Sequence, residues 1–377
     1  MNILHIIGSG HLGGAETFVH QFVSVYQKKN PEHKSALFYI KKEGHLCTTT
    51  VVDQYDGTAY SSLSGMKQIF LIMQQYDLII FHGLYPRFMS ISFFTNCRII
   101  YFMHGARSLR KSIKHVSSRM LKASYWPSKK SMQRFFRLLF FQFFLQSRCR
   151  YVLVPGNYYK QVTEKKYRVK SGKIKILSLG MDLNRFSTMD RKKTKVITGK
   201  INVGCVASFR KVKRIDRLIR AIGYLDEHEK ANLTVRLVGS GEEENHLRHL
   251  TRQLGLEEQI KFIAASENLS TIYSQMDLFV LPSESESFSL VLLEAMYFSI
   301  PSIVFSGSGG AEELVNKTGC GMVVDNEKQL ARVFSNLIKN PVLISTLNGK
   351  SRKIVEQNYT IEAVVENFLH LIKEEST

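Results

Sequence analysis

Short apolar runs alternate with stretches of helical period along most of this 377-residue chain. Residues 2–7 form an apolar run that leads into Gly8-Ser-Gly-His-Leu-Gly-Gly-Ala15, after which Phe18, Val19, Phe22 and Val23 fall at helical spacing. This predicts a strand, a glycine loop and a helix, the opening of one βα unit. Further strands are expected over 37–40, 78–81, 99–103 and 151–154. A second alternation starts at Ile201, with strands over 203–207, 234–238 and 260–264 and helices over 215–225, 242–254 and 270–275. Strands separated by helices imply parallel sheets covered on both faces, here twice over. The expected domains are 1–186 and 201–355, joined by a polar, basic linker over 187–200. An amphipathic helix in 356–377 is expected to pack back on the first domain.

The most informative stretch is 281–294, LPSESESFSLVLLE. An apolar run ends at Pro282, small and acidic residues follow, and a helical pattern starts at about Phe288, giving strand, loop and helix. A helix starting there turns its unpaired N–H groups and positive dipole end into the loop, where a diphosphate would sit. Glu286 lies in that loop, and Glu294 lies about six residues into the helix, roughly 9 Å along its axis, so the two carboxylates can bracket a diphosphate. One can face a sugar and the other a ribose diol. The plain alternative is a loop charge and a solvated helix residue. Against it, Glu294 is embedded in LVLLEAMYF, where a carboxylate is costly unless paired.

Other polar positions gain meaning from the same frame. His104-Gly105 follows the expected strand directly, so the imidazole stands at the carboxyl edge of the first sheet, where it can meet a substrate or only its own loop. Gly13 and Gly14 close the first glycine loop and allow close approach of a ligand, although a tight βα turn needs glycine without one. Arg210 and Lys213 precede a helix, a position suited to phosphate charge or to ordinary surface cations.

Composition narrows the class. At 44% hydrophobic and 22% charged residues the chain is globular, and its five cysteines are odd in number and lack a CxxC pair, which fits a reducing cytosol. The start reads as a buried strand and not as a signal peptide. The formal net charge is +20, and no Asp or Glu occurs between Leu78 and Thr163. An anionic partner is implied. Residues 106–150 place a basic cluster beside the aromatic run 134–145, which suits an anionic membrane surface or, equally, a buried helix with a solvated basic neighbour. That run is too short and too charged to be read as a transmembrane span. No nucleic-acid-binding motif accompanies the charge, and no Asp-x-Asp pair offers a metal site.

His11-Leu-Gly-Gly-Ala-Glu16, His104-Gly105, Gly180-Met-Asp182 with Phe186, Arg210 and Lys213, Gly239-Ser-Gly241, Glu286 with Phe288, Leu290 and Glu294-Ala-Met296, and Gly309-Gly310 with Glu313 occur in that order. Together they resemble the retaining glycosyltransferases of family 4. The resemblance implies an α/β chain of GT-B fold: two Rossmann-like, doubly wound parallel-sheet domains facing across a cleft, with a C-terminal helix crossing back. It implies that Glu286 contacts the transferred sugar, Glu294 the ribose, and the amides of Phe288, Ser289 and Leu290 the diphosphate. Arg210, Lys213 and Gly239 would also serve the donor, and His104 the sugar or acceptor. The chain departs from the family pattern where Ser287 and Ser289 stand for glycines, Leu179 for the linker Asn, and Ser208 for an arginine that Arg210 would replace.

The function so implied is transfer of a hexose or N-acetylhexosamine from a nucleoside-diphosphate sugar, UDP favoured over GDP, to a lipid-linked saccharide of surface polysaccharide synthesis. No metal is expected, and the site of action would be the inner face of the cytoplasmic membrane. The alternatives are a same-fold nucleotide-sugar epimerase, which needs no acceptor, and a catalytically silent nucleotide-sugar-binding partner of another transferase.

Overall fold

The structure, a computed structural model, describes residues 1–9, 14–41, 52–60, 63–104, 129–186, 199–264, 268–347 and 350–373. Gly13, most of the expected linker 187–200 and the basic stretch 106–128 lie outside the described residues. The chain divides into two compact units, one made of Met1–Leu179 with Val364–Thr377 and the other of Gly180–Ala363.

The first unit holds seven strands: β1 (Ile3–Ser9), β2 (Ser35–Lys41), β3 (Asp53–Asp56), β4 (Leu78–Phe81), β5 (Arg98–Phe102), β6 (Tyr151–Val154) and β7 (Ile174–Ile176). All pair in parallel, in the order β3-β2-β1-β4-β5-β6-β7. Every residue of β4 is buried, as a strand covered on both faces requires. Its Phe81 shares the core with Phe141 and Phe144. The last helix, Ile361–Lys373, brings Phe368 edge-on to Phe22 at 5.2 Å and Glu366 to Lys29. Those contacts tie the end of the chain to its beginning.

The second unit holds six strands, β8 (Ile201–Val206), β9 (Leu233–Val238), β10 (Ile260–Ile263), β11 (Leu278–Leu281), β12 (Ser302–Phe305) and β13 (Gly321–Val324). They too are all parallel, in the order β10-β9-β8-β11-β12-β13. Chain direction across the sheet reverses between β1 and β4 in one unit and between β8 and β11 in the other. Ligands of open α/β sheets bind at such reversals, beyond the carboxyl ends of the strands.

Two boundaries differ from the sequence reading. Residues 180–186 and 356–363 group with the second unit, not with the first domain and a terminal helix. Met181 takes an N–H bond to the Tyr359 carbonyl at 3.0 Å and accepts one from Ile361 at 3.0 Å, while Phe186 lies 5.3 Å from Phe298. Backbone pairing between segments so far apart in sequence leaves no local pattern. The helix after Pro282 also starts later than expected, at Leu290 and not Phe288.

Candidate active site

The β8/β11 reversal assembles most of the expected donor residues. After β8, Ala207 and Phe209 donate backbone bonds to Val238 and Ser240 at 3.0 and 2.8 Å, which binds this loop to the one following β9. Gly239 adopts φ 142°, and a Cβ there would stand 2.0 Å from the Ala207 carbonyl. Packing against the β8 loop therefore accounts for this glycine. The chain then makes one 3-10 turn, Lys211–Lys213, before the helix Ile215–Gly223.

After β11, the Glu284 N–H donates to Val212 at 2.9 Å. The Glu286 N–H donates to the Ser308 carbonyl at 2.8 Å, and its own carbonyl accepts from Gly310 at 3.0 Å. A Cβ on Gly310 would lie 2.1 Å from the Ser287 carbonyl, so this approach requires glycine. Glu286 is thereby pinned from both sides, and its Oε1 accepts from Lys213 Nζ at 2.6 Å. Both side chains are nearly dry, at 13% and 10% exposure, which strengthens the pair relative to a surface contact. In the same loop Arg210 is exposed, and its Nε donates to Ser208 Oγ at 2.9 Å.

Glu294 is buried, as its apolar neighbours imply, and it is satisfied. Its Oε2 accepts from the Tyr273 hydroxyl at 2.7 Å, and its Oε1 lies 3.8 Å from Arg185 Nη1. Burial raises the Glu294 pKa against the opposing pull of the Tyr273 bond and the Arg185 charge. Burial, with the Glu294 charge, likewise pushes the Tyr273 phenol well above its ordinary value. Tyr273 and Arg185 are contributors that sequence reasoning missed, since no local spacing links them to Glu294.

Phe288 is buried and Ser289 precedes the helix Leu290–Tyr297 at φ 101°. That left-handed region favours glycine, so a serine here holds a strained backbone. Ser283, Ser289 and Ser308 each bury a hydroxyl with no partner among the described residues. Unpaired buried hydroxyls cost about 1–3 kcal/mol each, and these three lie on the loops on either side of Glu286, where a polar ligand or water would satisfy them.

In the first unit, Gly14 opens the helix Gly14–Lys29 and His104 follows β5. His104 is not alone. Its Nε2 lies 2.7 Å from His82 Nδ1, and His82 Nε2 lies 3.0 Å from His5 Nδ1. The signal was present in the sequence: Phe81-His82-Gly83 after β4 repeats Met103-His104-Gly105 after β5.

The model described as Glycosyltransferase Family 4 matches residues 12–185, and the one described as Glycosyl transferases group 1 matches residues 187–363. The chain belongs to glycosyltransferase family 4. Within and around this family, it is 33% identical over 136 residues to an uncharacterized glycosyltransferase of Haemophilus influenzae, covering 36% of this chain and 38% of that protein. It is 27% identical over 160 residues to the GalNAc-alpha-(1->4)-GalNAc-alpha-(1->3)-diNAcBac-PP-undecaprenol alpha-1,4-N-acetyl-D-galactosaminyltransferase of Campylobacter jejuni, covering 41% of this chain and 43% of that one. The matches thus span about two fifths of the length of these curated relatives. Among solved structures, HepE of Anabaena in complex with UDP and glucose superposes with a TM-score of 0.78 at 19% identity, over 99% of this chain and 100% of that one. At that identity the likeness is one of fold, and it is the GT-B fold of two Rossmann-like units.

Proposed function

We propose that this family 4 chain moves a hexose or N-acetylhexosamine from a UDP-sugar to a hydroxyl of a lipid-linked saccharide, with retention at the anomeric carbon, in surface polysaccharide synthesis. The observation that carries the reading is the dry Lys213–Glu286 pair at the β8/β11 reversal. As the sugar departs, negative charge grows on the diphosphate. Lys213, the hydroxyls of Ser283, Ser289 and Ser308, and the free amides at the start of the helix Leu290–Tyr297 are the groups that meet it. Glu286 orients the sugar hydroxyls, and Glu294, braced by Tyr273, meets the ribose. UDP is favoured because HepE, a neighbour in fold, holds UDP and glucose. The test is transfer from a panel of UDP- and GDP-sugars to a polyprenyl-diphosphate-linked saccharide in EDTA. An α-anomeric product from an α-linked UDP donor is expected, and an inverted product or dependence on a divalent metal contradicts the reading.

The acceptor class draws on the Campylobacter relative, whose name specifies an undecaprenol-linked substrate, and on the helix Lys129–Ser147. Its Phe141, Phe144 and Leu145 are buried, whereas its Met132, Phe136, Leu139 and Phe143 are 42–61% exposed. These four fall at spacings of four, three and four, which aligns them as one stripe. An aromatic stripe on a chain of net charge +20 suits the anionic inner leaflet. No helix among the described residues is long and apolar enough to cross a membrane. Sedimentation with phosphatidylglycerol vesicles, but not with neutral ones, is expected, and Phe136→Ser/Phe143→Ser should reduce the bound fraction at least tenfold. Equal binding by the double variant contradicts peripheral docking through this stripe.

A further inference from the structure

Three adjacent strands of the first unit each deliver one imidazole to a single line. His5 lies within β1, His82 follows β4 directly, and His104 follows β5 after Met103. The rings are nearly parallel, at 14° between His5 and His82 and 26° between His82 and His104. Burial lowers the pKa of His5 and of His104 to about 3, and burial together with its two neighbours takes His82 well below 6.5, so all three are neutral at physiological pH.

A neutral imidazole has one N–H and one lone pair. His82 spends both nitrogens on its neighbours. The line therefore permits only two arrangements: every ring carries its proton on Nδ1, or every ring carries it on Nε2. The terminal atoms, His5 Nε2 and His104 Nδ1, are buried without a partner among the described residues. In the all-Nδ1 arrangement His5 ends the line with a lone pair and His104 with an N–H. The other arrangement exchanges them.

The surroundings of His5 choose between the two. It borders a cavity of about 10 Å³ whose other lining includes Phe22, Ile80, Phe102, Leu177 and Phe368. A cavity of that size admits about one water, which needs at least two polar partners, and among the side chains of the described residues lining it only His5 Nε2 is uncommitted. An orphaned N–H is rarer and costlier than an unused lone pair, and the cost is highest at His5, which is 1% exposed, whereas His104 is half-buried past the carboxyl end of β5, where a ligand can take up its N–H. We propose that His5 and His82 are positioning residues that lock His104 as a neutral Nδ1–H donor, aimed at a hydroxyl or phosphate oxygen of the substrate. With its lone pair occupied by His82, His104 is then a hydrogen-bond donor and not a general base.

This inference rests on the transferase reading only for what the donor meets; the tautomers belong to the folded chain itself. Long-range ¹H–¹⁵N correlation on the full chain with ring-labelled histidine reads them directly. Three rings with protonated Nδ1 and bare Nε2 are expected, unchanged between pH 7.5 and 6. An Nε2–H tautomer or an imidazolium at any of the three overturns the proposal. His82→Gln, whose amide can both accept from His5 and donate to His104, should keep His104 on Nδ1 and retain turnover within about threefold. His82→Phe should release the tautomer and lower kcat at least tenfold. Loss of turnover in His82→Phe with the His104 tautomer unmoved would reduce His82 to a packing role and overturn the proposal. The expected tautomers in a protein that transfers no sugar would refute the transferase reading while leaving the locked line intact.

Discussion

Lys213→Ala is expected to slow sugar transfer by about a hundredfold to a thousandfold, the range for losing one fixed group that stabilises developing charge. The effect should fall on kcat more than on KM, because the charge on the diphosphate grows as the sugar leaves. The same substitution strands Glu286, a carboxylate only 10% exposed, and removing one partner of a buried pair costs about 3–5 kcal/mol of stability. Folding and chemistry can be separated. Lys213→Ala/Glu286→Ala removes both charges and should recover much of the stability while transfer stays at the level of the single variants or below. A double variant that regains turnover would show that Lys213 serves only to neutralise Glu286. Denaturant titration beside steady-state kinetics on the four proteins completes the cycle.

The strand–helix alternation is legible in the sequence because the central strands are covered on both faces. Leu78-Ile-Ile-Phe81 and Leu278-Phe-Val-Leu281 read as unbroken apolar runs for that reason. β3 is not legible: Asp53-Gln-Tyr-Asp56 pairs with β2 through its backbone and carries no apolar period. In the site, Glu286, Glu294 and Lys213 stand out because each is a charge at the end of a buried element or inside an apolar one. Their partners do not stand out. Tyr273 reaches Glu294 from a separate helix, and no spacing rule says which distant hydroxyl will satisfy a buried carboxylate. His5 lies hidden within an apolar strand, and only its contact with His82 reveals a role. Arg210 lies in the loop the sequence indicates, and its side chain bonds to Ser208 there.

The second large effect is acid destabilisation originating in the first unit. His5, His82 and His104 are held below the ordinary histidine value of 6.5, with His5 and His104 at about 3. Unfolding restores the ordinary value, so between about pH 6.5 and pH 3 the unfolded chain binds more protons than the folded one. Stability from these groups is then complete above pH 6.5 and is lost as the pH falls towards 3. Three independent groups would give about 4 kcal/mol between pH 7.5 and 5.5, and the partial exposure of His82 and His104 reduces this to roughly 3 kcal/mol. Urea titrations at the two pH values measure it. His5→Leu, which replaces a buried imidazole by an apolar side chain, should remove about one third of the pH dependence. A pH dependence identical to that of the unaltered protein would contradict the assignment to His5.

The central claim is that the loops after β8 and β11 hold a nucleoside diphosphate against Lys213. Thermal unfolding with UDP, GDP, ADP and their sugar conjugates at millimolar concentration tests it most directly, because a ligand that binds only the folded chain must raise its stability. Stabilisation by UDP and a UDP-sugar is expected, abolished in Lys213→Ala/Glu286→Ala. Stabilisation that survives in that double variant, or the absence of any shift with every nucleotide, would contradict the site.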